Sequence, residues 1–158
     1  MKIKLMKHYI IVLILSFSSS LHSQNTEAGR IKHFNTEKGL AIQGYDPIAY
    51  FTLKKGIKGK STIQYKHLGV TYNFYSEQNK ALFISNPSRF EPQYGGWCAF
   101  AMGDYGKKVE VDPETFKIVN DKLYLFYNAY LNNTLKDWNK DENNLRNKAD
   151  KNWMNIIK

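Results

Sequence analysis

Two stretches of this chain alternate apolar with polar residues, and two others repeat apolar residues every three or four positions. Between positions 70 and 76, Val70, Tyr72 and Phe74 alternate with Thr71, Asn73 and Tyr75. That two-residue period, in β-branched and aromatic side chains, predicts a strand. Residues 62–68 carry Ile63 and Tyr65 in the same rhythm, so the two runs predict a β-hairpin about Leu68-Gly69. A second hairpin is predicted from 115–119 and 122–127, because Asn120-Asp121 between them tolerates the positive φ of a tight turn.

Helical signals lie around and after these strands. In Gly44-Tyr45-Asp46-Pro47, Asp46 suits an N-cap and Pro47 the first turn of a short element over 48–51. Lys54 to Lys60 reads as a loop. Ser76 is the N-cap of a helix whose apolar part is Ala81, Leu82 and Phe83, and Asn86-Pro87 ends it. Near the C-terminus, Leu131, Leu135 and Trp138 share one helical face, and Leu145, Ala149, Trp153 and Ile156 share another, with Asp141 placed to cap the second helix. The expected fold is α+β: a small single domain with two antiparallel β-hairpins and C-terminal helices packed on them.

The N-terminus has a different character. Lys2, Lys4 and Lys7 precede the apolar run 10–17, and Ser18 to Ser20 and Leu21-His22-Ser23 follow it. Charge, a short apolar core and small residues in that order predict a secretory signal peptide over residues 1–23, cleaved near Ser23. The run is too short for a membrane anchor, which takes about 20 apolar residues. The polar stretch 24–38 has no clear period and reads as a flexible leader, and residues 39–156 form the domain. The expected location is periplasmic or secreted, with no transmembrane segment after cleavage.

Removing Lys2, Lys4 and Lys7 lowers the net charge from +9 to +6. Export and the scatter of the lysines argue against a nucleic acid partner; the plain reading is a solvated basic surface, and weak contact with an anionic envelope surface is the other. A lone cysteine, Cys98, forbids an internal disulfide, so packing of the many aromatic residues must supply stability.

No nucleotide-binding, nucleophile-elbow, zinc-protease or paired-cysteine motif occurs, and no catalytic residue is assigned. A cysteine nucleophile would need His33 or His67 beside Cys98, and neither is fixed there by its neighbours. Chemistry concentrates in Pro92-Gln93-Tyr94-Gly95-Gly96-Trp97-Cys98-Ala99-Phe100-Ala101-Met102. If Cys98 opens a helix, Cys98 and Met102 lie on one face, and a thiol with a thioether suits a soft ion such as copper(I), or zinc. Cys98 is also open to a plain core role, or to that of a reactive thiol at a helix N-terminus. Tyr45, Tyr50, Tyr94 and Trp97 form either ordinary packing or an aromatic pocket for a small ligand or protein partner.

Gly44-Tyr45-Asp46-Pro47-Ile48-Ala49-Tyr50-Phe51, then Pro92 to Ala99, then Tyr124-Leu125-Phe126-Tyr127-Asn128, occur in the order seen in the exported YHS-domain proteins of bacteria, which this chain resembles over about residues 39–156. The resemblance implies a compact α+β domain in a secreted or periplasmic protein. YHS domains elsewhere are attached to metal-transporting ATPases, and a metal role would map here onto Cys98. It follows that a metal-binding or metal-handling envelope protein is one expected function, and a non-catalytic binding module with an aromatic pocket is the other.

Overall fold

Both hairpins form where the alternation places them. In the computed structural model, which describes residues 26–158, β3 (Lys60–His67) pairs antiparallel with β4 (Val70–Phe74) through the turn Leu68-Gly69. Two short strands, β1 (Thr36–Glu37) and β2 (Leu40–Ala41), extend this sheet in the order β1-β2-β4-β3, with β2 parallel to β4. In the second hairpin, β5 (Asp112–Val119) pairs with β6 (Lys122–Phe126), and Asn120 and Asp121 at the turn both take positive φ, 51° and 60°. The signal-peptide residues and the cleavage point at Ser23 lie outside the described residues.

Strand β6 divides the interior. Leu123 and Leu125 belong to a core built with Ile48, Tyr50, Val70, Tyr72, Phe74 and Phe83. Tyr124 and Phe126 point the other way, into a second core with Met102, Trp138, Leu145 and Ala149. Successive strand residues face opposite sides, so a strand buried on both faces reads as a continuous apolar run.

Asp46 is fully buried and ties three segments together. Its Oδ1 accepts from the Ile48 amide at 2.8 Å, capping α2 (Pro47–Thr52), while its Oδ2 accepts from the Tyr75 amide at 2.8 Å and from Asn79 Nδ2 at 2.6 Å. Ser76 Oγ caps α3 (Glu77–Ser85) as its sequence predicts. Pro87 both ends α3 and opens a further turn, α4 (Pro87–Phe90), since proline fits the first helical position.

Helix α5 (Ala99–Asp104) packs on the long C-terminal helix α7 (Glu142–Ile156). The approach is close at Gly103, where a Cβ would lie 2.4 Å from the Leu145 carbonyl oxygen. Asp141 stands at the N-cap position of α7, but its carboxylate accepts from Asn144 Nδ2 rather than from a cap amide. No helix among the described residues is long and apolar enough to cross a membrane.

The structure corrects two sequence expectations. First, the polar stretch read as a flexible leader contains helix α1 (Glu27–His33), capped by Thr26 Oγ1 on the Gly29 amide at 3.2 Å. Its anchor is polar. Arg30, 3% exposed, donates from both terminal nitrogens to the two oxygens of Glu91, and from Nε to the Leu68 carbonyl at 3.2 Å. The Tyr72 hydroxyl donates to the same carboxylate at 2.7 Å. A helix docked largely through long-range polar contacts leaves no apolar period in the sequence. Second, Leu131 is not on a helix. It lies in the turn between β7 (Asn128–Ala129) and β8 (Asn132–Asn133), and α6 (Thr134–Trp138) begins after it, capped by Asn133.

Candidate functional site

The 92–102 segment turns sharply before it becomes helical. Tyr94 has φ 55° and Gly95 φ 60°, both left-handed, inside a short 3₁₀ turn (Gln93–Gly96). At Gly95 glycine is required twice over: for its φ, and because a Cβ would stand 3.0 Å from the rings of Phe34 and Trp153. Cys98 then stands at the N-cap of α5.

As the N-cap, Cys98 has a ψ of 117°, far from helical values, and lies off the helical lattice. Its carbonyl accepts from the Met102 amide at 3.0 Å, but the two side chains go to different packing clusters. Cys98 packs in the first core and Met102 in the second, and both are fully buried. Polar neighbours occupy the thiol. The Tyr127 amide donates to Sγ at 3.4 Å, and Thr134 Oγ1 is 3.4 Å away. Thr134 gives its own hydroxyl proton to the Tyr127 carbonyl at 2.9 Å, so the S–H is the donor to Thr134. Among the described residues, no three His, Cys, Asp or Glu side chains gather as a metal-ligand group. Neither histidine is a partner of Cys98. His33 Nδ1 lies 3.3 Å from Lys108 Nζ, and His67 stacks on Tyr65.

The four aromatics proposed as one pocket divide between the two cores. Tyr50 is fully buried, donates to the Pro113 carbonyl at 2.8 Å and meets Phe116 edge-on; burial first, and nearby acidic groups after it, push its hydroxyl well above the usual tyrosine range. Tyr45 packs on the same core and donates to Glu114 at 3.1 Å. Tyr94 and Trp97 belong to the other core. Trp97 donates from Nε1 to the His33 carbonyl at 2.7 Å, with the Lys108 ammonium over its ring.

Tyr94 does line an open site. A cleft of about 300 Å³ is bounded by the Tyr94-Gly95 turn, by Phe34 at the end of α1, by Trp153 and Met154 of α7, and by Glu91, Asp150 and Lys122 at its polar edge. Phe34 and Trp153 form its aromatic wall, ring centroids 6.3 Å apart and tilted by 56°. The Tyr94 hydroxyl donates to Asp150 Oδ1 at 2.9 Å; burial, and then the charge of Asp150, raise its pKa far above the usual range and keep it a donor. The Asn35 amide bonds the Gly95 carbonyl at 2.8 Å, which fastens the end of α1 to the turn. Of the sequence candidates, only Tyr94 reaches this cleft. Phe34 fell in the stretch read as leader, and Trp153 and Asp150 carried no signal beyond a helical period. No known protein family, curated protein or solved structure matches the chain.

Proposed function

We propose that this chain is a non-catalytic binding module of the exported YHS type, which takes a small organic ligand in the cleft at Tyr94-Gly95. One observation carries the reading: a non-glycine residue, Tyr94, is held in a left-handed conformation at the floor of an open aromatic cleft whose walls come from three distant parts of the chain. Strained backbone of this kind persists where the surroundings over-determine it, and it concentrates at ligand clamps. Phe34 and Trp153 offer ring faces to an apolar body, and Asp150 offers an acceptor to a donor group. The polar groups on its edge, Asp150 and Lys122, are of the kind that orient a bound ligand.

The metal-handling alternative has less behind it. Cys98, buried with its hydrogen bonds satisfied, and Met102, turned into the other core, do not form the copper or zinc pair that their spacing suggested. A thermal-shift panel under reducing conditions separates the two. Small aromatic and amine ligands should raise Tm, because a ligand specific to the native state stabilises it. Trp153→Ala, which removes the wall, and Ser88→Trp, which blocks the rim, should each abolish that rise. A rise with copper(I) or zinc alone, lost in Cys98→Ser, would replace this proposal with the metal reading. Export is tested separately by intact mass: recovery of the unprocessed chain from the cytoplasm of a bacterial host would remove it.

A further inference from the structure

The sharpest departure from ordinary surface chemistry lies away from the cleft, at the β7–β8 tip. Tyr130 and Leu131 are the two residues of the turn, and they are 94% and 109% exposed. Both are left-handed, with φ of 53° and 64°. A two-residue hairpin turn of this type is ordinarily built from Asn, Asp and Gly, which reach positive φ at little cost. Here an aromatic and a γ-branched residue take those positions, side chains outward, with no packing in return. The same chain uses Asn120-Asp121 at the β5–β6 turn, where no apolar side chain is displayed.

We propose that the Tyr130-Leu131 tip is a membrane-docking element that inserts into the interfacial layer of an anionic phospholipid bilayer. This inference does not depend on the cleft or its ligand. Four features favour lipid over a protein groove. The tip is small: a Tyr and a Leu offer at most about 400 Å², against about 800 Å² per partner in a stable protein interface. The strands behind it are paired, Ala129 with Asn132 and Asn128 with Asn133, so the polar backbone that insertion would strand is confined to the two-residue turn. An amphipathic tyrosine sits well at headgroup depth with an aliphatic neighbour below it, and the strand residues behind the pair are polar: Asn128, which bonds Thr115 and Asp112, Asn132, and Asn133, which caps α6. Finally, the chain stays basic without Lys2, Lys4 and Lys7, at +6, which suits an anionic surface.

The stalk is rigid enough to present the tip. Asn128 Nδ2 donates to Thr115 Oγ1 at 3.0 Å, and the Thr134 amide closes onto the Tyr127 carbonyl at 3.0 Å. Tyr127 and Thr134 also hold the Cys98 thiol, so the tip is rooted in the core rather than in a loose loop.

The test uses the full chain with vesicles of phosphatidylglycerol mixed into phosphatidylcholine, and vesicles of phosphatidylcholine alone. Tyr130→Trp places a fluorophore on the tip, read as its difference from wild type. The expected result is a blue shift of that added emission, with quenching by brominated lipid, on the anionic vesicles and much less on the zwitterionic ones. In Tyr130→Asn/Leu131→Gly, which restores ordinary turn residues, partitioning to anionic vesicles should fall roughly tenfold or more. The double variant should keep the wild-type circular dichroism, so loss of binding cannot be loss of fold. Added emission from Tyr130→Trp that stays unshifted and unquenched on the anionic vesicles would overturn the proposal. So would tip-dependent self-association in the ultracentrifuge with no vesicle response, which would assign the tip to a second copy instead.

Discussion

Glu91→Gln tests whether α1 belongs to the folded domain, because the carboxylate charge facing the buried Arg30 guanidinium is removed while shape is kept. The Arg30 Nη1 to Glu91 Oε2 distance is 3.0 Å, and a second N–H···O bond runs parallel to it. At that separation and an effective dielectric of about 20, the attraction is of order 5 kcal/mol before desolvation. Burial pulls the Arg30 pKa down, but the hydrogen bond and charge of Glu91 outweigh it and leave the guanidinium pKa raised. Removing one partner from a buried pair leaves the other charge uncompensated, which typically costs about 3–5 kcal/mol. The amide also turns one acceptor oxygen into a donor facing a donor. A loss of about 3 kcal/mol is therefore expected, read by urea denaturation with circular dichroism, with the midpoint lowered. Arg30→Met/Glu91→Leu should recover most of the loss, since neither charge remains to be desolvated. Lys66→Gln, which breaks an exposed pair with Glu27 at 3.9 Å, should change stability hardly at all. A loss under about 1 kcal/mol in Glu91→Gln, or purely additive single variants, would refute the reasoning and detach α1, with Phe34, from the domain.

Three further outcomes are expected. Gly103→Ala should destabilise by about 2 kcal/mol or more in thermal melts, because the new methyl meets the rigid Leu145 backbone at 2.4 Å rather than a yielding side chain; wild-type stability would contradict the tight α5–α7 packing. Tyr130→Asn/Leu131→Gly should stabilise by about 1 kcal/mol, since two left-handed non-glycine residues are relieved at the cost of some unfolded-state entropy; a lower Tm would mean the tip serves stability rather than binding. Stability should also fall as pH drops from about 7 to about 5. Burial is the main cause that depresses the folded pKa of both His33 and His67 below 6.5, so the unfolded chain takes up these protons earlier and gains from acid. Lys108 adds to the effect at His33, while Glu91 opposes it at His67. His33→Gln/His67→Gln should flatten that slope, and a slope unchanged in the double variant would assign it to other groups.

How much could be read in advance varied with the kind of force involved. Local rules worked where the forces are local. Alternation at Val70, Tyr72 and Phe74 marked β4, Asn120-Asp121 marked a turn, and Asp46-Pro47 and Ser76 marked caps, because strand faces, positive φ and orphan amides are satisfied within a few residues. The α+β class and the C-terminal helix face of Leu145 and Ala149 followed from the same periodicities. The candidate site was legible only in part: Tyr94-Gly95 stood out, but its cleft did not.

Tertiary structure decided the rest because its causes are long-range. Cys98 and Met102 share a helical spacing, yet the N-cap backbone swings Cys98 into a different core from Met102. Tyr45, Tyr50, Tyr94 and Trp97 look alike in the sequence and end in two cores, because β6 sends alternate side chains to opposite sides and builds one on each. Helix α1 docks through long-range contacts, chief among them Arg30 with Glu91, 61 positions away, and no local period can announce such pairs. Leu131 kept its helical spacing with Leu135 and Trp138, but the β7–β8 hairpin claims it and turns it outward. What the sequence alone determined was which segments could be strand, turn or helix, since those preferences are written in neighbouring residues. Which side chains meet was decided by the packing of both cores around β6, which sums contacts between segments far apart in the chain.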